Sequence, residues 1–360
     1  MPRGARSDDR VLSARELNRA MLARQLLLAR SPAPLTRALE RLGGLQTQYA
    51  PSGYVGLWSR LRDFDGAALT RALERRSAVQ GTMMRVTIHT VSARDYWPLT
   101  EGVRLARRRW WLRAAGAEAR ELDMVAVARR VRSMLRAGPR RSNELMQELE
   151  AAGLPRAAWT GVGLWLDLVR VPPSGTWHRR RADLFGLAEQ WVPRDGKPTS
   201  EQGHELLLRR YLGGFGPASL ADAAAWAGLA VGELRPAAER MRLRRFRDEA
   251  GRQLLDLPGA PLPGADASVP VRFLPTFDAT LLASTRRTRI LPEEYRPLVF
   301  DVRTPHSVGT YLVDGTVAGS WRHVDGRIEL QRFHPLPRAA GRELENETAA
   351  LAAFHEATSA

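Results

Sequence analysis

The order in which helical and β-like runs follow one another is the strongest constraint on how this chain can fold. Ahead of the Pro/Gly-rich stretch LPGAPLPGAD, Leu257–Asp266, one arrangement recurs: short helices and then a β-rich ribbon. Apolar residues spaced i, i+3, i+4 predict helices over Ala14–Leu28, Leu35–Leu42, Pro51–Leu61 and Gly66–Arg76. AVQGTMMRVTIHTV, Ala78–Val91, then reads as two strands around a Gly-containing turn. A long helix follows in SARDYWPLTEGVRLARRRWWLRAAG, whose Arg107-Arg108-Arg109 run is either a solvated face or a phosphate contact. Helices over Met124–Leu135, Ser142–Ala152 and Ala157–Leu168 and a ribbon in VRVPPSGTWHRRRADLFGLAEQWV repeat the order. A third set begins near Ser200, where Glu201–Leu212, GPASLADAAAWAGL and AVGELRPAAERM resemble a helix-turn-helix and its neighbour.

Beyond the Pro/Gly linker the patterning changes. VPVRFLPTF, RPLVFDVR and GTYLVDGTVAGSWRHVDGRIELQRF alternate short apolar runs with turns, at Val313-Asp314-Gly315-Thr316 and Asp325-Gly326 among others. A small β-barrel is expected there, closed by a C-terminal helix in GRELENETAALAAFHEATSA. The expected fold class is mainly α with β: three tandem winged helix-turn-helix units over residues 10–120, 121–199 and 200–263, then a β-barrel domain over 264–360.

Charge narrows the function. The formal net charge is +16, and of 55 basic residues only Lys197 is a lysine. A GC-rich genome explains much of the arginine usage, but the positive excess points to a polyanion. Arginine also suits bidentate phosphate contacts, so a nucleic acid is the first expected partner and an acidic membrane surface a distant second; the family resemblance below narrows this to double-stranded DNA. The chain has no cysteine, which excludes disulfides and thiolate metal sites. No run approaches the roughly eighteen apolar residues of a membrane span, and MPRGARSDDR lacks a secretory core, so a cytoplasmic monomer is expected. Phosphate-loop, dinucleotide-binding and nucleophile-elbow motifs are absent, the seven histidines are scattered, and Lys197 lies in a polar loop. No metal or cofactor and no lysine-based lyase chemistry is expected.

What remains is Gln46-Thr47-Gln48, between Gly43-Gly44 and the Pro51–Leu61 helix. In an extended segment the two carboxamides share a face and can converge on one small target; alternatively they only satisfy backbone groups beside a turn. Arg85, Thr87 and His89 alternate along the ribbon and so share a face, where His89 is either packed or in contact with DNA. Arg286, Arg287 and Arg289 in STRRTRIL are dense enough for phosphate contact, or are solvated surface. Trp58, Trp110 and Trp111 read as core.

Together LQTQYAPSGYVGLWSRL, RVTIHTVSARDYWPL, GPASLADAAAWAGL, FLPTFDATLLASTRRTRILP and VDGTVAGSWR, in this order, resemble the AlkZ/YcaQ family of bacterial DNA glycosylases. The resemblance implies three tandem winged helices and a β-barrel around a C-shaped DNA-binding channel. It implies a monofunctional glycosylase that excises bulky N7-alkylpurines, including antibiotic-derived interstrand crosslinks, as DNA repair and self-resistance. Gln46 and Gln48 match the catalytic Gln-x-Gln of the AlkZ-like branch; YcaQ-like members carry Gln-x-Asp. The middle residue is often aliphatic in the family and is Thr47 here. On this reading DNA contacts fall to Arg85, Thr87, His89, Arg286, Arg287 and Arg289. A monoadduct-only glycosylase and a non-enzymatic winged-helix regulator are the alternatives.

Overall fold

Two consecutive glycines set the geometry of the most interesting segment. In the computed structural model, which describes residues 10–283, 288–300 and 307–359, the helix Leu35–Leu42 ends at Gly43 in the left-handed conformation (φ 75°). The amide of Gly44 donates to the carbonyl of Leu39 at 2.8 Å and that of Gly43 to Glu40, so the last carbonyls are capped. Gly44 is also left-handed (φ 82°), and a Cβ there would come within 2.8 Å of Val91. The chain thus leaves the helix and enters the short strand Leu45–Gln46 directly. Pro51 then sits in the first turn of the helix Ala50–Trp58, where its missing N–H costs nothing. That helix is buried on every side rather than along one stripe, since it is enclosed between the sheet and the C-terminal region.

Leu45–Gln46 is the edge of a six-stranded antiparallel sheet. Inward from it come Ile88–Ser92, Ala78–Thr82, Leu168–Arg170, Leu184–Leu187 and, at the far edge, Arg140–Arg141. The two ribbons expected from the sequence are joined here, with Gln80 opposite Arg170 and Gly81 opposite Val169, so one sheet runs across residue 120. The turn of the first ribbon, Met83–Thr87, contains no glycine; Gly81 lies inside a strand, where a Cβ would press on Tyr96 at 2.9 Å. Arg85 and Val86 take left-handed φ of 52° and 59° instead. The expected Ala157–Leu168 helix stops at Val162, and Leu168 already belongs to the sheet.

The long helix Ala93–Ala114 carries this sheet onto the third helical set, Ser200–Phe215, Leu220–Ala227 and Val231–Arg240. It crosses Ser200–Phe215 at Gly102 and Gly203, where a Cβ on Gly203 would lie 2.5 Å from the amide nitrogen of Gly102. The third set ends in a hairpin not anticipated from the sequence, Arg244–Asp248 with Gln253–Asp256, and Val11–Leu12 from the chain's start adds to it in parallel.

The C-terminal region departs from the expected barrel. Its four strands, Arg272–Leu274, Gly309–Val313, Thr316–Val324 and Arg327–Arg332, form an open antiparallel sheet in sequence order, and no closed barrel occurs among the described residues. The helix Arg338–Ser359 packs against the last of these strands. Both two-residue turns form as expected, with left-handed Asp314-Gly315 and Asp325-Gly326. RPLVFDVR does not begin as a strand: Arg296–Val299 is a single helical turn with Pro297 at its start.

Part of the arginine excess is structural. Arg24 and Asp256, both fully buried, form a two-pronged pair at 2.6 and 2.9 Å. Arg60 and Asp278, equally buried, meet at 2.9 Å. Arg107 is neither a solvated nor a DNA-facing residue: it is buried and donates to the carbonyl of Thr82. Arg170 donates to the Thr82 hydroxyl at 2.8 Å, and burial pushes both guanidiniums down to about 10. Trp58 and Trp111 are core as expected, but Trp110 is half exposed, because consecutive helical positions cannot both face inward.

Candidate active site at the sheet edge

Gln46 lies opposite His89 across the sheet edge. Beyond it the ladder continues irregularly: the amide of Thr47 donates to the carbonyl of Ile88 at 2.8 Å, and the amide of Ile88 donates to Oε1 of Gln48 at 3.1 Å. The side chain of Thr47 turns inward, 3.0 Å from the Thr90 hydroxyl. Both glutamine side chains are held at this edge, with Gln46 nearly buried and Gln48 exposed. The following helix packs closely on Thr47, and a Cβ on Gly53 would lie 2.9 Å from the Thr47 methyl.

Arg85 holds the first glutamine. Its Nη2 donates to Oε1 of Gln46 at 3.0 Å and its Nη1 to the carbonyl of Trp226 at 2.6 Å. The left-handed turn at Arg85 brings it beside Gly228, where a Cβ would lie 3.1 Å from the Arg85 amide nitrogen. Arg85 is thus in a tight turn and not, as strand alternation predicts, on the strand that carries His89. The two donors, a guanidinium and a backbone amide, cannot accept hydrogen bonds, so the atom facing each must be the amide oxygen. That fixes the flip of both carboxamides and leaves each with an NH2 group and a second oxygen lone pair to offer.

His89 is buried. Its Nδ1 lies 3.1 Å from the Thr87 carbonyl, and the Thr87 hydroxyl donates to the carbonyl of Met84. Burial first, and then the charge of Arg85, hold the imidazole down to about 3, against the pull of the Thr87 carbonyl. The ring is neutral at any physiological pH, which excludes it as a titrating acid there. The depressed value also links to stability. Above about pH 6.5 both folded and unfolded His89 are neutral, and the full contribution is present. As the pH falls toward 3 the unfolded chain takes up a proton that the folded one refuses, so stability is lost. Urea unfolding between pH 7 and 4 is expected to show His89→Gln losing less stability than wild type, by up to about 1.4 kcal/mol per pH unit in the lower half of that range. Parallel losses in the two proteins would contradict this.

Of the remaining expected contacts, Arg286 and Arg287 lie outside the described residues. Arg289 is half-buried, with its carbonyl accepting from Asn18 at 2.8 Å, and burial lowers its guanidinium pKa. Sequence reading missed Tyr49 and Arg180. The Tyr49 ring follows Gln48 directly, and Arg180 reaches across from the second ribbon, donates to the Tyr49 hydroxyl at 3.0 Å and lies over its ring. A separation of 131 positions leaves no trace in spacing.

The family described as DNA glycosylase AlkZ-like matches residues 39–354. The interstrand DNA cross-link repair glycosylase of Streptomyces sahachiroi is 24% identical over 365 aligned positions, covering 92% of this chain and 93% of that protein. The solved structure of Streptomyces sahachiroi DNA glycosylase AlkZ shares the fold, with a TM-score of 0.78 at 20% identity and 97% of each chain covered. The chain belongs to the AlkZ-like DNA glycosylase family, and so is an enzyme that hydrolyses N-glycosidic bonds in DNA. The reading of it as a non-enzymatic regulator is thereby set aside.

Proposed function

We propose that the enzyme excises N7-alkylated purines, including those tied into interstrand crosslinks, with Gln46 and Gln48 positioning the attacking water. The observation that carries this reading is the anchoring of both amide oxygens by donor-only groups at one sheet edge. Most glycosidases need an acid to protonate the leaving group and a carboxylate on the sugar face. A purine alkylated at N7 already leaves as a neutral base from a cation, so the acid is dispensable. What remains is to hold a water and to aim negative dipoles at the developing sugar cation. The second lone pair of each glutamine can accept from that water, while the NH2 groups meet the sugar or phosphate. A neutral His89 fits the same logic, since a protonated ring would oppose the sugar cation. Arg85 and Thr87 serve as positioning groups for Gln46 and His89, and Arg286 and Arg287 as backbone contacts, whereas the enclosed guanidinium of Arg289 is turned to the interior.

Crosslinks enter because the Streptomyces sahachiroi relative is described as an interstrand DNA cross-link repair glycosylase. A base bound to the opposite strand cannot be flipped into a closed pocket, so the site must be reached in the duplex. We read the three helical sets as winged helices around a C-shaped channel with the Gln46–Gln48 edge on its wall, and the exposure of Gln48 is consistent with such access. The test is a denaturing gel of duplex with a defined N7-guanine crosslink, followed over time with wild type and Gln48→Asp. Unhooking by wild type is expected. Gln48→Asp should match or exceed wild type on cationic monoadducts, since a carboxylate polarises water more strongly. Release of 7-methylguanine without any unhooking would leave the monoadduct reading instead.

A further inference from the structure

The long helix Ala93–Ala114 presents one large exposed indole, Trp110, and its neighbours on the helix fix where it points. Arg107 donates to the carbonyl of Thr82, at the end of the strand that leads into the Arg85 turn. Arg109 pairs with Glu233 of the helix Val231–Arg240 at 2.5 Å. Successive helical positions are rotated by about 100°, so Trp110 points into the arc between these two, about 60° from Arg107 and about 100° from Arg109. The opposite arc is already filled: Arg108 donates to the carbonyl of Leu164 at 2.9 Å and lies over the Trp165 ring. The turn has the same sidedness, since Val86 packs on the core that contains Trp111 while Arg85 abuts Gly228, just ahead of the helix Val231–Arg240. Trp110 therefore stands in the notch between the Arg85 turn and that helix, one helical turn past Arg107. The protein does not hold it there. Trp97, Trp177 and Trp321 each have an acceptor for Nε1, whereas Trp110 has none among the described residues and is 48% exposed.

Resting on the reading of the glutamine edge as the reaction centre, we infer that Trp110 is a wedge that stacks into a base step of bound DNA next to the lesion. Arg109 and, one turn on, Arg113 are exposed beside the ring. What covers this surface must therefore combine negative charge with flat apolar faces, as the stacked bases and phosphates of the enzyme's own DNA substrate do. An apolar side chain inserted at a base step partly unstacks it and bends the duplex. That widens access to the sugar without rotating the base out of the helix, which a base tied to the opposite strand cannot do. The same turn that borders the notch carries Arg85, whose Nη2 holds Gln46, so the wedge and the water-holding amide are built on adjoining structure.

The probe is a duplex carrying a tetrahydrofuran abasic analogue, which cannot be cleaved, with 2-aminopurine on its 5′ or its 3′ side in separate duplexes. 2-Aminopurine brightens when it is unstacked. Saturating wild type should raise the fluorescence of at least one duplex several-fold. Trp110→Ala and Trp110→Gln should leave it near the level of free DNA, and Trp110→Phe should recover most of the rise. Affinity should fall on the order of 10-fold for the Ala and Gln variants, the loss of one base–aromatic stack, with the salt slope unchanged because no charge is removed. Their urea midpoints should match wild type, since a half-exposed ring packs little. No brightening with wild type, wild-type brightening in both Trp110→Ala and Trp110→Gln, or a Trp110→Phe no better than Trp110→Ala would overturn the wedge. Gln46→Ala should brighten the probe as wild type does. If Gln46→Ala also excised N7-methylguanine at the wild-type rate, the proposed chemistry alone would fail, because the binding signal decides the wedge separately.

Discussion

Replacing either Gln46 or Gln48 by alanine is expected to lower single-turnover excision of N7-methylguanine roughly 10²- to 10³-fold, with affinity for lesion-bearing DNA nearly unchanged. A preorganised dipole acts on charge that develops only in the transition state, so its removal reaches the rate and spares the ground-state complex. The two positions should differ in a revealing way. Gln48 is exposed and held by one backbone amide, so Gln48→Ala removes a dipole and little else. Gln46 is nearly buried and shares Arg85 with the Trp226 carbonyl, so Gln46→Ala should also cost some stability, visible in the urea midpoint. Arg85→Ala should then depress the rate through Gln46, less than loss of Gln46 itself. Thr47→Ala should leave the rate nearly intact, since Thr47 faces the Thr90 hydroxyl and not the site. Near wild-type single-turnover rates for both glutamine variants would remove the pair from the chemistry.

Much of this arrangement is legible in the sequence because it is local. The double glycine, the first-turn proline and the short extended stretch between them are enough to place the Gln46–Gln48 segment at a sheet edge, where Leu45 and Gln46 pair with Thr90 and His89. Helix positions follow from periodicity, and the Asp-Gly turns of the C-terminal sheet from their chemistry. Arg85 was misplaced because alternation assumes the strand continues, whereas a non-glycine left-handed turn at Arg85 and Val86 ends it; only the packing of Gly228 against that turn accounts for it. Among the described residues the C-terminal strands form an open sheet. Short apolar runs and turns specify strands but not closure, which depends on strand number and on which element covers the edge. A cavity lined by Tyr49, Trp177, Trp321 and His355 was invisible, since no local pattern relates these residues.

Salt should weaken DNA binding steeply, and the structure says which arginines to remove to show it. A net charge of +16 does not translate into sixteen phosphate contacts, because Arg24 and Arg60 are neutralised by buried carboxylates and Arg107 and Arg170 are enclosed around Thr82. The loop Arg179–Arg181 is different. All three arginines are exposed, Arg181 meets Asp183 only at 3.6 Å with its side chain 83% exposed, and Arg180 turns toward Tyr49 beside the glutamines. If about six phosphates are neutralised in all, affinity should fall about 10³-fold between 50 and 200 mM salt. Replacing Arg179 and Arg181 together by alanine should flatten the log–log slope by about 1.8, two contacts at about 0.9 each, while folding is unaffected because neither is buried. Fluorescence anisotropy with undamaged duplex is the appropriate measurement, since phosphate contacts carry no sequence or lesion information. A slope unchanged in the double variant would move this loop away from the backbone, and with it the placement of the duplex along the face that joins Arg179–Arg181 to Gln48.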